Sequence, residues 1–188
     1  DAAVTDMVGL ATTIMLIGWA TGGIIFGTMS DRLGRVKTMA VTLLVYSGFT
    51  GLSGIAKTIP EFMVYRFLVG LGVGGMFGAA TTLVAESVPA SIRAVALGSL
   101  QALSAIGNII GSLVSTQVQP GKADFLMGMS GWRILFFVGI LPSILVVPML
   151  FTLREPEKWK ESRRRAQSGA EKAGSIPELF RLCLSPGQ

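Results

Sequence analysis

The chain of 188 residues contains no histidine and a single cysteine, Cys183. A disulfide within the chain needs two cysteines, and zinc sites of the Cys/His type, histidine-based triads and HExxH metal sites all need residues that are missing. No nucleophile with a neighbouring base can be assembled from what remains. The sequence therefore predicts that the protein is not an enzyme, and we expect neither a metal nor an organic cofactor.

Charge is also scarce. Only 14% of the residues are charged and 51% are apolar, whereas soluble domains carry about 25% charged residues. The net charge of +5 could suggest a nucleic-acid partner, but the basic residues lie between and after apolar blocks and not on one soluble face. We therefore expect a lipid bilayer as the main partner and no nucleic acid.

Five apolar stretches are long enough to cross a bilayer, which takes about 17 to 25 helical residues. They cover residues 7–29, 38–56, 62–84, 95–118 and 132–153. Lipid offers no partner for free backbone groups, and the alternation typical of barrel strands is missing, so these segments must be helices. The sequence predicts an all-α, polytopic transmembrane bundle over residues 1–153 and a polar tail over 154–188. Within that tail, residues 175–184 fit either a short amphipathic helix or a flexible linker.

The basic residues also predict an orientation. Of the 16 lysines and arginines, all but four lie in residues 30–37, in 85–94 or in the tail; the exceptions are Lys57, Arg66, Lys122 and Arg133. Cytoplasmic loops carry the excess of lysine and arginine. We expect an integral protein of the plasma (inner) membrane, with the N-terminus of this chain outside and the tail in the cytoplasm. The start at Asp1, without a leader pattern, suggests a fragment or a processed product.

Glycines are spaced four residues apart on several of the stretches. Such pairs let two membrane helices approach closely, and they occur at Gly18/Gly22, Gly23/Gly27, Gly70/Gly74, Gly74/Gly78 and Gly107/Gly111. Close helix packing is the expected role of these residues.

The first polar link carries a spaced motif of small and charged residues. It comprises Gly27, Asp31, Arg32, Gly34 and Arg35. This motif resembles the loop signature of the major facilitator superfamily, between its second and third helices, with Val36 where a basic residue is usual. The resemblance implies that the cluster latches the two halves of the protein together on the cytoplasmic side in one of two alternating states. A simple topology anchor is the alternative.

A second motif begins on the third apolar stretch. It comprises Leu68, Gly70, Leu71, Gly74, Leu83, Glu86 and Arg93. It is similar to a signature of the sugar porter branch of that superfamily, and it implies that Glu86 and Arg93 extend the gating cluster within reach of Arg32 or Arg35. Residues 154–159, REPEKW, resemble the branch's PESPRW segment with its prolines displaced.

The resemblance covers nearly the whole chain, as helices two to six and the central cytoplasmic loop. Major facilitator proteins pair two six-helix halves around a midplane site and rock one half against the other. The resemblance therefore implies part of the N-terminal half, with helix one and the C-terminal half of the same protein as its missing partners.

The fourth apolar stretch carries a polar stripe. At about 100° per residue, five side chains fall within about 80° of one another: Gln101, Ser104, Asn108, Ser112 and Ser115. Their hydroxyl and amide groups need partners, from other helices or from a water-filled cavity. Sugar porters carry substrate-binding amides at the positions of Gln101 and Asn108. We take these two residues and Ser104 as candidates for solute binding, with interhelical hydrogen bonding as the alternative.

Arg66 lies about one turn inside the third stretch. An arginine at the bilayer centre costs at least roughly 2.5 kcal/mol, so it is usually paired, although near a helix end it can reach the interface. The resemblance implies pairing with an acidic residue of helix one and a role in proton coupling.

Together these features predict a transporter of a small organic solute, a sugar or an organic acid. It would work by alternating access, as a proton symporter or by facilitated diffusion. A transport-inactive sensor, receptor or assembly partner with the same fold is the alternative.

Overall fold

The computed structural model describes residues 2–118 and 131–167, and all of their regular structure is helical. The elements are α1 (Ala2–Leu33), α2 (Arg35–Ser53), α3 (Ile59–Ser87), α4 (Arg93–Val118), α5 (Gly131–Val138), a short 3-10 helix (Leu141–Leu145), α6 (Val146–Thr152) and α7 (Glu157–Gln167). The predicted all-α fold is thus confirmed. Residues 175–184, where a short amphipathic helix was one expectation, lie outside the described residues.

Four of the five expected spans are long and apolar enough to cross a membrane: Thr5–Leu33, Ile59–Ser87, Arg93–Gln117 and Gly131–Thr152. The remaining candidate, α2, has 19 residues and begins with Arg35 and Lys37, which lower its hydropathy. Its crossing stays a prediction. The span Gly131–Thr152 is interrupted by the 3-10 helix, which holds Pro142 in its first turn. Proline cannot donate the backbone hydrogen bond of a continuous helix, which explains the interruption.

A glycine seam joins α1 and α3. A Cβ atom added at Gly18 or Gly22 would collide with a backbone carbonyl of α3, and one added at Gly70 or Gly74 with a carbonyl of α1. The prediction of close packing is confirmed for these two pairs. An added Cβ at four other glycines would meet no described atom within 4 Å, so close packing finds no support there: Gly27, Gly78, Gly107 and Gly111.

Small polar side chains, and not only apolar ones, pack α2 against the bundle. Thr38, Thr42, Ser47 and Ser53 are completely buried, at 0% exposure. The hydroxyl of Thr42 donates to the carbonyl of Thr38 at 2.9 Å, so its polar atom is satisfied within its own helix. Beside them lies an apolar cluster of Val36, Met39, Ala79 and Leu83. The seam and this contact together fix α1, α2 and α3 as one unit.

The start of α3 is capped by its own sequence. The hydroxyl of Thr58 accepts from the backbone N–H of Glu61 at 3.4 Å, and the Glu61 carboxylate accepts from the N–H of Lys57 at 3.0 Å. A threonine followed three residues later by glutamate satisfies free N–H groups at a helix start in this way. The cap fixes the first turns of α3 and hence the position of Arg66.

Helix α4 contacts α3 and α5, but it buries little of its surface against the described helices. No residue of its most apolar 18-residue window is buried, and every residue from 101 to 113 is exposed. A membrane helix exposed on all sides has faces available for lipid, for other helices and for a water-filled path.

Candidate functional site

The turn between α1 and α2 is built around Gly34. Its φ of +111° lies in a region that other residues rarely adopt, so the chain can reverse there only with glycine. A Cβ at Gly34 would also collide with the carboxylate of Glu155. The glycine therefore serves both the backbone turn and the approach of a carboxylate from a distant part of the chain.

Arg35 is the centre of an ion cluster directly after this turn. Its guanidinium donates to Asp31 at 2.6 Å and to both carboxylate oxygens of Glu86, at 2.9 and 3.2 Å. The residue is only 7% exposed. Burial lowers the pKa of Arg35, but the hydrogen bonds and charges of Glu86 and Asp31 outweigh burial, so the net pKa lies above its usual value. The structure thus brings three of the predicted gating residues together, from α1, α2 and α3.

Glu155 caps the start of α2, a role that our sequence reasoning missed. One carboxylate oxygen accepts from the backbone N–H of Arg35 at 2.7 Å, and the other from those of Val36 and Lys37 at 3.0 and 3.4 Å. A negative charge at a helix N-terminus satisfies free N–H groups and opposes the helix dipole. The signal that could have found it is the PESPRW-like segment, because Glu155 stands at the glutamate position of that segment.

Trp159 ties α7 to the same turn. Its indole N–H donates to the backbone carbonyl of Asp31 at 2.9 Å, and the side chain is 9% exposed. The guanidinium carbon of Arg163 lies 5.1 Å from the centre of the Trp159 ring, within the range of a cation–π contact. Segment 155–159 therefore holds the α1–α2 turn through Glu155 and Trp159.

Other predicted gating residues are not drawn into this cluster. Arg32 is exposed. The Nε atom of Arg93 is buried but has no hydrogen-bond partner in the part of the chain that the structure describes. Arg93 and Glu86 instead line one cavity of about 440 Å³. At Gly27 a side chain would meet open space.

Replacement of Gly34 by alanine should destabilise the protein by roughly 1 to 3 kcal/mol, the cost of a strained backbone conformation, because alanine disfavours this φ and crowds Glu155. Thermal unfolding of the purified protein in detergent measures this loss. Gly27→Ala is the matched control within the same motif, and it should leave the midpoint nearly unchanged. Equal midpoints for the two variants would contradict the role assigned to Gly34.

Most of the polar stripe of α4 is exposed. Gln101, Ser104 and Asn108 are all exposed, and none makes a hydrogen bond to a described residue. Asn108 and Ser112 line a shallow cavity of about 320 Å³ on the surface of α4. The stripe is therefore separate from the ion cluster at the α1–α2 turn and free to contact a solute or another helix.

Arg66 occupies a cavity at the opposite end of the bundle from the α1–α2 turn. Its guanidinium carbon lies 5.1 Å from the ring centre of Phe62 and 4.6 Å from that of Phe136. Its Nε and Nη2 atoms are buried and have no hydrogen-bond partner within residues 2–118 and 131–167. The cavity measures about 560 Å³ and is lined mostly by apolar side chains of α1 and α3. Two buried donors that point at no acceptor suit a carboxylate from outside the described residues.

The sequence model of the Major Facilitator Superfamily matches residues 4–187. Over 82% of its length the chain is 37% identical to the cis,cis-muconate transport protein of Acinetobacter baylyi. It is 36% identical to the sialic acid transporter NanX of Escherichia coli over 89% of its length. It is 33% identical to the niacin transporter NiaP of A. baylyi over 95% of its length. The chain spans only 36 to 40% of the length of these relatives.

Solved structures share the fold. A partially occluded, inward-open structure of the xylose transporter XylE from E. coli superimposes with a TM-score of 0.72 at 25% identity, over 92% of this chain and 44% of that one. A structure of the proton:xylose symporter XylE bound to 6-bromo-6-deoxy-D-glucose superimposes with a TM-score of 0.76 at 24% identity, over 86% of this chain and 38% of that one. The helical fold is therefore shared with these structures. The chain belongs to the major facilitator superfamily, a family of integral membrane transporters and not of enzymes, and it forms part of the N-terminal six-helix half of that fold.

Proposed function

We propose that the protein containing this chain moves a small organic solute across the inner membrane by alternating access, as a proton symporter or by facilitated diffusion. The observation that carries the proposal is the polar stripe of α4, which lies exposed over the middle of a membrane span. Amide and hydroxyl groups are costly against hydrocarbon. A stripe that finds no partner on α1, α2 or α3 suits the wall of a water-filled path between two halves.

Within that path, Gln101, Ser104 and Asn108 would bind the solute. They supply both donors and acceptors, which a sugar or an organic acid needs. Organic acids are favoured because the relatives named for muconate, sialic acid and niacin are named for carboxylic acids. The buried, unpaired nitrogens of Arg66 add a second reason to expect a carboxylate near this half of the protein.

The ion cluster at the α1–α2 turn would act as the gate. Asp31, Arg35 and Glu86 hold three helices together at one end of the bundle. Arg32 and Arg93 lack an ion-pair partner among the described residues, so they are available to the second half of the protein. Because lysine and arginine concentrate at this end, we place it in the cytoplasm. Arg66 would then lie near the outer surface and take part in proton coupling.

Uptake by the full-length protein in proteoliposomes tests the proposed solute path. A panel of labelled carboxylates and sugars, offered with and without a pH gradient, identifies the solute class. Gln101→Ala or Ser104→Ala should then raise the apparent KM about fivefold or more, because losing one hydrogen bond to a solute costs roughly 1 kcal/mol.

Ser99→Ala is the matched control, since Ser99 lies on α4 about 140° away from Ser104 and bonds only within its own helix. Unchanged kinetics for both stripe variants would remove these residues from the solute path. Binding of a solute without any uptake would instead favour a transport-inactive sensor.

A further inference from the structure

We propose that the end of the bundle carrying the α1–α2 turn binds the headgroups of anionic phospholipids through a cation patch completed by α7. The cation patch consists of Arg32, Lys37, Arg154, Arg163 and Arg164, all of which are exposed. It is distinct from the solute path on α4, and it shares Arg32 with the proposed gate.

Two hydrogen-bonded contacts gather this patch from segments about 120 residues apart. Glu155 accepts from the backbone N–H of Lys37, which brings Lys37 close to Arg154, the neighbour of Glu155. Trp159 donates to the carbonyl of Asp31 and lies under Arg163, which brings Arg163 close to Arg32. The fold thus concentrates positive charge where the sequence alone shows two separate basic segments.

The nearby carboxylates neutralise only part of the cation patch. Asp31 and Glu86 bind Arg35, and Glu155 binds the backbone N–H groups of α2. On α7, Glu157 and Glu161 pair with Lys160 and Arg165, and Glu157 also attracts Arg164. No member of the patch forms an ion pair among the residues that the structure describes. Gathering like charges is unfavourable unless anions compensate them, and the described carboxylates are too few for five cations, so an anion from outside these residues would stabilise the patch.

A lipid phosphate is the anion that this position favours. Helix α7 begins after a link of four residues, 153–156, that follows the span ending at Thr152. Such a link reaches about 14 Å at most, so α7 begins close to the headgroups of the membrane. The Trp159 hydrogen bond keeps it beside α1. Basic residues immediately next to a span attract anionic lipids, and the planar guanidinium groups of Arg163 and Arg164 match phosphate oxygens.

Native mass spectrometry of the full-length protein, titrated in detergent with phosphatidylglycerol or phosphatidylcholine, tests the patch. The wild type should bind phosphatidylglycerol more tightly than phosphatidylcholine. Added salt should weaken the binding of phosphatidylglycerol and leave the binding of phosphatidylcholine unchanged. Arg163→Gln with Arg164→Gln should lower the affinity for phosphatidylglycerol roughly 25-fold, since each cation near an anionic surface contributes about fivefold.

Arg163→Lys with Arg164→Lys keeps the charge and should retain most of that affinity. Lys57→Gln, at the opposite end of the bundle, should retain all of it. Equal affinity for the two lipids in the wild type, or wild-type affinity in the Gln pair, would overturn the proposal. The proposal would also be overturned if the Gln pair changed transport in liposomes without phosphatidylglycerol but left lipid binding unchanged. The cations would then bind another part of the protein.

Discussion

If the protein is a proton symporter, replacing Arg66 by glutamine should strongly reduce proton-driven accumulation of solute while solute exchange across the same membrane survives. The guanidinium is held between Phe62 and Phe136 with two buried donors that have no acceptor in the described part of the chain. If the missing acceptor is a carboxylate that carries the proton, Arg66 favours its ionised form by roughly tenfold to a thousandfold. Glutamine has no charge to do so, and gradient-driven uptake should fall about tenfold or more.

Arg133→Gln is the control for this experiment. Arg133 belongs to the same end of the bundle and stacks on Trp132 at 4.9 Å, so the variant removes an arginine but keeps Phe62 and Phe136, the two rings that contact Arg66. Loss of both accumulation and exchange in Arg66→Gln would mean that Arg66 binds the carboxylate of the solute itself. Full accumulation in that variant would contradict any role of Arg66 in transport.

Replacing Gly70 by alanine should destabilise the bundle by about 1 to 3 kcal/mol, the usual cost of overpacking. The added Cβ would overlap the backbone carbonyl of Met15, and a backbone atom cannot move aside as a flexible side chain can. Because α1 and α3 meet along this seam, the two helices must separate. The midpoint of thermal unfolding in detergent should fall by on the order of 5 °C.

Gly78→Ala provides the comparison for this substitution. Gly78 lies two turns further along α3, where an added Cβ would meet no described atom within 4 Å. The same change of residue should therefore leave the midpoint almost unchanged or raise it slightly, since alanine favours the helix. If both variants unfold at the same temperature, the glycine seam does not hold α1 and α3 together.

Much of the fold followed from hydrophobic length and charge. Apolar runs of about 20 residues can only be helices in lipid, so the long helices were predictable within a few residues of their ends. The interruption of the fifth stretch lies at Pro142, and the sequence contains a signal for it because proline lacks a backbone N–H in any context. The ion cluster at the α1–α2 turn was predictable in part, since Asp31, Arg35 and Glu86 lie in two spaced motifs.

Pairing between distant segments was not predictable. Glycine spacing looks the same at Gly70/Gly74 and at Gly107/Gly111, yet only the first pair faces another described helix. Likewise, Thr38 and Ser47 look no less exposed in the sequence than Ser104, but they are buried against the bundle. A pattern within one helix defines a face, and it does not identify the neighbour of that face.

The sequence by itself determined a helical membrane protein, its family motifs and the concentration of positive charge in particular links, because these depend on residue type and local spacing. Only the tertiary structure decided that Glu155 caps α2, that Trp159 binds the carbonyl of Asp31 and that Arg66 lies between two aromatic rings. These contacts join residues far apart in the chain. Their energies depend on distance and burial, and both are fixed only when the helices pack together.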